Sequence, residues 1–398
     1  MQSSHASALD VNWYQIAALR RRLHRHPEVS EQEYQTAAAV VQELAAAGPD
    51  ELITGLSRMR TGVCAVYEGK AEGPTVMLRC ELDALPIRET GERSHRSVRD
   101  GVAHLCGHDG HMATMIAVAQ SLRRRGITRG KAVLLFQPAE ETGTGAAALL
   151  DDRRFTALSP DVVLGFHNLP TFPCGVLVVR SGIFAAASVG FIVTFGGRTS
   201  HSSYPEHGLN PTAAVAGLME FVNGIETHRQ SAFGARSTGT ITSARVGAVE
   251  LGANFGTAPG EAVVMGVLRA YYNDDLLKLK SLIAEEAEGL AAPAGLSCEI
   301  EWREEFAVTE NDAAVVDRIV EVARQRGWEC RTVDEPFRWS EDFGRYLQHF
   351  DGAFFGIGAG EAQPQLHSDT YDYPDEIIPV GAEVYRALLD SYLAPLSS

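Results

Sequence analysis

The sequence predicts an α/β protein, a mostly parallel sheet with helices on both faces, interrupted by an inserted ferredoxin-like β-α-β-β-α-β domain. Three features of the 398-residue chain predict it. Short apolar runs bounded by glycine alternate with helical stretches over the first part, the rhythm of a sheet buried on both faces. After Ser181-Gly182 the rhythm changes to strand, helix, two strands, helix and strand, and from Asn311 the first rhythm returns. The chain is also too long for one ordinary core, so residues 1–182 and 306–398 are expected to form one domain and residues 183–305 a second, inserted one.

In chain order, 10–24 and 30–47 read as helices, the second with Ser30 as cap and Glu33 completing a capping box. Stretches 61–68 and 75–82 are glycine-bounded apolar runs that read as buried strands. A buried helix follows Gly110, and 132–136 and 161–166 read as further strands. In the insert, 188–195, 237–246, 262–271 and 297–302 read as strands, with helices at 210–227 and 274–291 and Asn210 capping ahead of Pro211. A helix at 311–327, a strand at 352–356 and a closing helix near 380–394 complete the chain. Ser340-Glu-Asp-Phe343 reads as a helix cap with an acidic first turn.

Composition narrows the function classes. A formal charge of −16 argues against nucleic acid or an anionic membrane as partner. No stretch approaches the ~20 apolar residues that span a bilayer. The start, Met1-Gln-Ser-Ser-His-Ala-Ser-Ala8, has no basic segment followed by an apolar one, so no signal peptide is expected. Six cysteines, at 64, 80, 106, 174, 298 and 330, show no paired spacing. That suits reduced thiols and a cytoplasmic location.

The chemistry concentrates in His104-Leu-Cys-Gly-His-Asp-Gly-His111, which gathers a thiol, three imidazoles and a carboxylate. Thiolate and neutral imidazole are ligands for borderline-soft metals. Cys106 and His108 flank Gly107, whose backbone freedom permits a turn that aims both at one ion. Phe136-Gln-Pro-Ala-Glu-Glu141 follows an apolar strand, where open α/β sheets bind ligands. Adjacent side chains diverge, so one glutamate can ligate while the other stays available as a base. Gly165-Phe-His-Asn-Leu169 and Leu366-His-Ser-Asp369 each add a histidine that counts only through the company of the others. In Met77-Leu-Arg-Cys-Glu-Leu-Asp-Ala-Leu-Pro86, Asp83 follows a strand and could hold the ring of a ligating histidine.

These motifs resemble the dinuclear metallopeptidase superfamily that includes aminoacylases and glutamate carboxypeptidases, and within it the branch of hippurate hydrolases and auxin-conjugate hydrolases. The resemblance runs from Arg21-Arg-Leu-His-Arg-His-Pro-Glu28 to the Asp375-Glu-Ile-Ile-Pro379 tail. It implies metal ligands at Cys106, His108, Glu141, His167 and His367, shared between two divalent ions with Cys106 bridging. Zinc or manganese is expected, with cobalt and nickel admitted by the same donors. It implies Glu140 as general base and acid for a metal-activated water that attacks an amide. It implies a lid and dimerisation role for residues 183–305, with His201 reaching the oxyanion across a homodimer or larger oligomer, and Asn254 and Arg269 holding a substrate carboxylate. His24 and His26 match the family and read as structural, and Asp109 and His111 as hydrogen-bonded supports of the ligand loop. Two departures bear on pocket shape. Glu81 stands where relatives usually have Asp, and Thr199 and Ser200 where they usually have glycines.

The expected activity is therefore metal-dependent hydrolysis of N-acyl amino acids, such as N-acetyl or N-benzoyl derivatives, to a carboxylic acid and a free amino acid. A dipeptidase or carboxypeptidase on the same scaffold is an alternative. So are a cysteine hydrolase using Cys106 with His108, and a metal-stabilised binding protein without catalysis.

Overall fold

The structure is a computed structural model that describes residues 9–225, 237–247 and 255–394. The chain divides into two compact units, Met1–Phe184 with Thr309–Pro336 and Asp342–Ser398 in one, and Ala185–Val308 with Phe337–Glu341 in the other.

The first unit opens with helices α1 (Trp13–Arg25) and α2 (Tyr34–Ala47) and strands β1 (Glu51–Leu56), β2 (Gly62–Glu68) and β3 (Ala71–Glu81). Helix α3 (His108–Arg125), β4 (Arg129–Gln137), the short α4 (Gly145–Leu150) and α5 (Arg153–Thr156), β5 (Val162–Pro170), β6 (Leu177–Val179) and β7 (Gly182–Ala185) follow. The second unit holds β8 (Ala187–Gly196), β9 (Ser200–His201), α6 (Thr212–Gly224), β10 (Thr238–Val246), β11 (Thr257–Ala258), β12 (Glu261–Ala270), α7 (Asn273–Ala291) and β13 (Ser297–Phe306). The chain then returns to the first unit through β14 (Thr309–Asn311), α8 (Ala313–Arg326), β15 (Cys330–Thr332), α9 (Gly344–Leu347), β16 (Asp351–Gly360) and α10 (Ile377–Leu393).

The first unit is built on an eight-stranded sheet ordered β1-β2-β4-β3-β5-β16-β6-β15. β4, β3, β5 and β16 run parallel, as do β6 and β15, and antiparallel pairs join β1 to β2, β2 to β4 and β16 to β6. Every residue of β5 is buried, and so are Ala132 to Gln137 of β4. Such unbroken burial, without alternation, means that both faces of the sheet are covered. Helix α3 is buried along Met112 to Ala119 and packs against α1, α2, α10 and β3. Its Ala-rich sequence lets those neighbours approach on every side.

Two local readings are corrected. Helix α2 starts at Tyr34, and Ser30 does not cap it: the Ser30 hydroxyl donates to Asp83 Oδ2 at 2.7 Å. Glu33 is buried and takes the N–H groups of Glu31 and Ala139 and the Thr61 hydroxyl. Nor do residues 340–343 form a helix cap with an acidic first turn: α9 begins at Gly344 and has no acidic residue in its first turn. Glu341 and Asp342 are buried, and Asp342 pairs with Arg79. A capping box and a buried carboxylate both place an acidic side chain beside backbone N–H groups, so the local pattern does not separate them.

In the second unit the antiparallel sheet β10-β12-β8-β13 carries helices α6 and α7 on one face. With β8 first in the chain, this is the 4-1-3-2 order of a ferredoxin-like fold, in agreement with the β-α-β-β-α-β rhythm. Leu276, Leu279, Ile283 and Ala287 form the buried stripe of α7. Among the described residues no helix is long and apolar enough to cross a membrane, and all six cysteines are free.

Candidate metal centre

The parallel strands of the first unit end together, and their carboxyl ends carry the predicted residues: Asp83 after β3, Glu140 and Glu141 after β4, His167 near the end of β5, His367 after β16. Cys106 precedes α3, and His108 begins it. Gly107 between them has φ +100°, and a Cβ there would lie 2.6 Å from Asn168 Oδ1, so only glycine fits the turn. Gly110 is required for a different reason: a Cβ would penetrate the Tyr373 ring at 2.3 Å.

The fold brings the five predicted ligands together in overlapping groups. Potential donor atoms of Cys106, His108 and His167 lie within 4.8 Å of one another, and so do those of Cys106, Glu141 and His367. A third such group joins His108 to Glu140 and Glu141. Cys106, His108 and His167 are buried, whereas the His367 side chain is half exposed and marks the mouth. His367 adopts φ +65°, and its N–H donates to the Leu105 carbonyl at 2.9 Å, which ties the C-terminal loop to the cysteine turn.

Backbone carbonyls set the imidazole tautomers. His108 Nδ1 donates to Asp83 O at 2.8 Å, and His167 Nδ1 to Asn168 O at 3.0 Å. A carbonyl only accepts, so each ring carries a proton on Nδ1 and turns Nε2 inward as the nitrogen that a metal would take. His167 Nε2 lies 3.4 Å from Cys106 Sγ. His108 Nε2 is buried without a hydrogen-bond partner, 3.8 Å from Glu140 Oε2 and 3.8 Å from Glu141 Oε1. A buried ring nitrogen that faces two carboxylates and has no hydrogen-bond partner of its own is an environment that a cation would complete.

Both glutamates reach the pocket because the chain bends sharply before them. Ala139 has φ +51°, and Glu33 Oε1 holds its N–H at 2.8 Å. Asp83 Oδ2 takes the Glu141 N–H at 2.9 Å. Asp83 thus supports His108 chiefly through its carbonyl and Glu141 through its carboxylate. Burial by itself would lower the pKa of His108, but Glu81, Asp83 and Glu141 push it up to about 10. Burial, then Glu141 and Glu140, hold the Cys106 thiol well above its usual range. The His108 shift, and the part of the Cys106 shift that comes from Glu141 and Glu140, report an excess of negative charge, and the soft sulfur, imidazole and carboxylate donors fit a divalent transition metal.

Several neighbouring polar groups are paired within the chain. His111 Nδ1 meets Glu81 Oε2 at 2.7 Å and its Nε2 meets Asn168 Oδ1 at 2.6 Å. Asp109 accepts from His24 at 2.9 Å and from Arg20 at 3.3 Å. His24, His95 and Asp372 form another compact group, but Glu89 and Asp109 already engage His24, while Arg20 and Arg93 engage Asp372. That group is charge-balanced by the chain itself.

The second unit carries the remaining predictions. His201 is exposed on β9, paired with Thr257, and its Nδ1 accepts the Ser203 N–H at 3.1 Å. Its proton is thereby placed on Nε2, which can donate. Arg269 on β12 is partly buried and donates to Ser340 Oγ at 2.9 Å and the Arg338 carbonyl at 3.3 Å. Burial lowers its pKa. Asn254 lies outside the described residues. Sequence reasoning missed Glu33, Arg79 and Asp342 as supports of the centre. The only local signals were a glutamate in an apparent capping box and the acidic pair at 341–342.

Comparison with known proteins adds three findings. The profile of Peptidase family M20/M25/M40 matches residues 77–391. N-acetyl-L-cysteine deacetylase of Bacillus subtilis (strain 168) is 31% identical over 348 residues, 86% of this chain and 80% of that protein, and thermostable carboxypeptidase 2 of Saccharolobus solfataricus is 28% identical over 381 residues, 94% of each. The crystal structure of a dinuclear metal-binding peptidase of the M20 family from Bacillus subtilis superposes with a TM-score of 0.77 at 26% identity, over 96% of this chain and 99% of that one.

Proposed function

Because the chain belongs to peptidase family M20/M25/M40 and is thereby a metal-dependent amidohydrolase, we propose that it cleaves N-acyl amino acids, such as N-acetyl or N-benzoyl derivatives, to a carboxylic acid and the free amino acid. The observation that carries this reading is the sharing of Cys106 between two ligand groups, one completed by His108 and His167 and the other by Glu141 and His367. Five donors, one of them the shared sulfur, would hold two ions, with zinc or manganese the best match to the donor set and cobalt or nickel admitted by it. When bound, the ions polarise the amide carbonyl and acidify a water.

The chain's own residues do the rest. Glu140 takes one proton of the attacking water and passes it to the departing amine, leaving a carboxylic acid and a free amine as products. His201 offers its Nε2 proton to the oxyanion. Arg269 and Asn254 hold the substrate carboxylate, for which the forked guanidinium of Arg269 is suited. In this reading residues 183–305 are a lid and dimerisation domain, His201 acts across a homodimer, and the protein works in the cytoplasm. The similarity to an N-acetyl-L-cysteine deacetylase supports the substrate class. The similarity to a carboxypeptidase keeps a peptide substrate as the second reading. A cysteine hydrolase is disfavoured, because burial and the flanking carboxylates oppose a free thiolate at Cys106.

The test is to strip the protein with a chelator, restore zinc, manganese, cobalt or nickel singly, and assay N-acetyl and N-benzoyl amino acids beside dipeptides with free or blocked amines. Metal-dependent recovery on the N-acyl amino acids is expected. Cleavage of free-amine dipeptides alone would replace this substrate class with a dipeptidase. Thiol alkylation that abolishes activity while chelation does not would replace the metal mechanism.

A further inference from the structure

We propose that Asp342 is the positioning residue for the general base, holding one oxygen of Glu140 so that the other faces the metal pocket; this rests on the reading of Glu140 as base. Glu140 Oε1 accepts the backbone N–H of Asp342 at 3.4 Å, and Oε2 is the oxygen that lies 3.8 Å from His108 Nε2. The two oxygens therefore have different surroundings. One is tied to the main chain at Asp342, and the other is turned towards the ligand histidine.

A main-chain N–H can orient a carboxylate only if the main chain is itself held. The Asp342 side chain does the holding. Its Oδ1 accepts from Arg79 Nη2 at 2.6 Å and from Gln137 Nε2 at 2.8 Å, and its Oδ2 accepts from Gln137 Nε2 at 2.7 Å and the Ala146 N–H at 2.9 Å. Gln137 is fixed in turn, because its Oε1 accepts from Arg79 Nε at 2.8 Å and the Tyr346 hydroxyl at 2.9 Å. Arg79, Gln137 and Asp342 are all buried. Arg79 and Gln137 belong to β3 and β4, adjacent strands of the central sheet, paired so that Glu81 stands opposite Gln137.

The same guanidinium engages Glu81, and Glu81 engages His111, which meets Asn168 beside Gly107. Arg79 therefore links the carboxylate that orients the base to the residues that pack the cysteine turn. The backbone of the base is clamped separately, by Glu33 on the Ala139 N–H and by the Gly143 N–H on the Glu140 carbonyl at 2.7 Å. With the backbone fixed, the remaining freedom of Glu140 is in its side-chain torsions, and the Asp342 N–H restricts those. A misplacement of about 1 Å in such a group can cost on the order of 100-fold in rate.

The variant Asp342→Asn tests this. All the groups named at the Asp342 carboxylate are donors, so an amide NH2 faces a donor in either orientation and the anchor is lost. The expected result is a fall in kcat of roughly 10- to 100-fold with KM within about twofold and metal content unchanged. The decisive readout is the cycle with Glu140→Gln. If Asp342 acts through the base, Asp342→Asn lowers kcat in the wild-type background and does nothing further once the base is gone. The same fractional loss in both backgrounds, or a loss confined to KM or metal content, would overturn the proposal. Should Asp342→Asn not fold, Tyr346→Phe keeps the ring and removes the hydroxyl that donates to Gln137 Oε1. It is expected to lower kcat several-fold with KM unchanged, again only when Glu140 is present, and an unaltered kcat overturns the proposal. Wild-type turnover in Glu140→Gln alone would instead refute the base assignment, a failure distinct from that of the anchor.

Discussion

His108 Nδ1 stands 2.8 Å from the backbone carbonyl oxygen of Asp83, while the Asp83 carboxylate holds the Glu141 N–H at 2.9 Å. One residue thus orients a histidine and a glutamate of the proposed ligand set through different atoms. Asp83→Asn keeps the carbonyl and weakens the carboxylate's hold on Glu141 and on the Ser30 hydroxyl. Metal affinity is expected to fall about 10- to 100-fold, the usual effect of losing an outer partner of a ligand, as read by competition with a chromophoric chelator.

Glu140 is 5% exposed at the end of β4 and belongs to the group with His108 and Glu141. If it is the base and not a ligand, Glu140→Gln lowers kcat by roughly 100- to 10,000-fold while two metal ions per chain remain. Steady-state kinetics with elemental analysis of the same samples checks both halves.

Arg269 Nη1 is already committed to Ser340 Oγ and the Arg338 carbonyl, which fixes its planar fork. Arg269→Lys keeps the charge but not the fork. On N-acyl amino acids KM is expected to rise about tenfold or more, with a smaller effect on the corresponding methyl esters, which lack the carboxylate. Equal effects on acids and esters would remove Arg269 from carboxylate recognition.

The buried His24–Asp109 pair gives a pH dependence unconnected with substrate. Burial by itself would lower the pKa of His24, but Asp109 and Glu89 push it up to about 9. Its contribution to stability is whole below the ordinary imidazole value of 6.5 and is lost as pH rises through about 9. Burial would raise Asp109, yet His24 and Arg20 hold it below the usual 3.8, so its contribution is whole above that value and lost in acid. Stability from this pair is therefore complete between pH 3.8 and 6.5. Thermal unfolding from pH 7 to 10 should show a fall in Tm that is flatter in His24→Gln. An unchanged slope would contradict the assignment.

Gly107→Ala places a Cβ at φ +100° against an Asn168 side chain that His111 and Tyr371 hold at 2.6 and 2.5 Å. The strain is of the order of 1–3 kcal/mol. Chemical denaturation should show that loss, with metal content reduced because Cys106 and His108 flank the turn.

Much of the centre was legible because each proposed ligand sits in a short motif after a strand or before a helix, and parallel strands bring such ends together. The β-α-β-β-α-β rhythm was equally legible, since α7 carries one buried stripe and the strands of its sheet are bounded by turns. The supports were not legible. Arg79 and Asp342 are 263 residues apart, and nothing local to either reveals the pairing. Ser30 and Glu33 show why a correct pattern can mislead: the spacing suits a capping box, but Ser30 donates to Asp83, and Glu33 accepts from Thr61 and Ala139, across the fold. Strands β1, β6 and β15 were missed because β6 and β15 are three residues each and β1 is half exposed, too little for a periodic signal.

The most direct test of the central claim is anomalous diffraction from crystals of the protein reconstituted with zinc or manganese. The account predicts two peaks about 3.5–4 Å apart, both in contact with the sulfur of Cys106 and enclosed by His108, Glu141, His167 and His367. A single peak, or two peaks with that sulfur bound to neither, would contradict it.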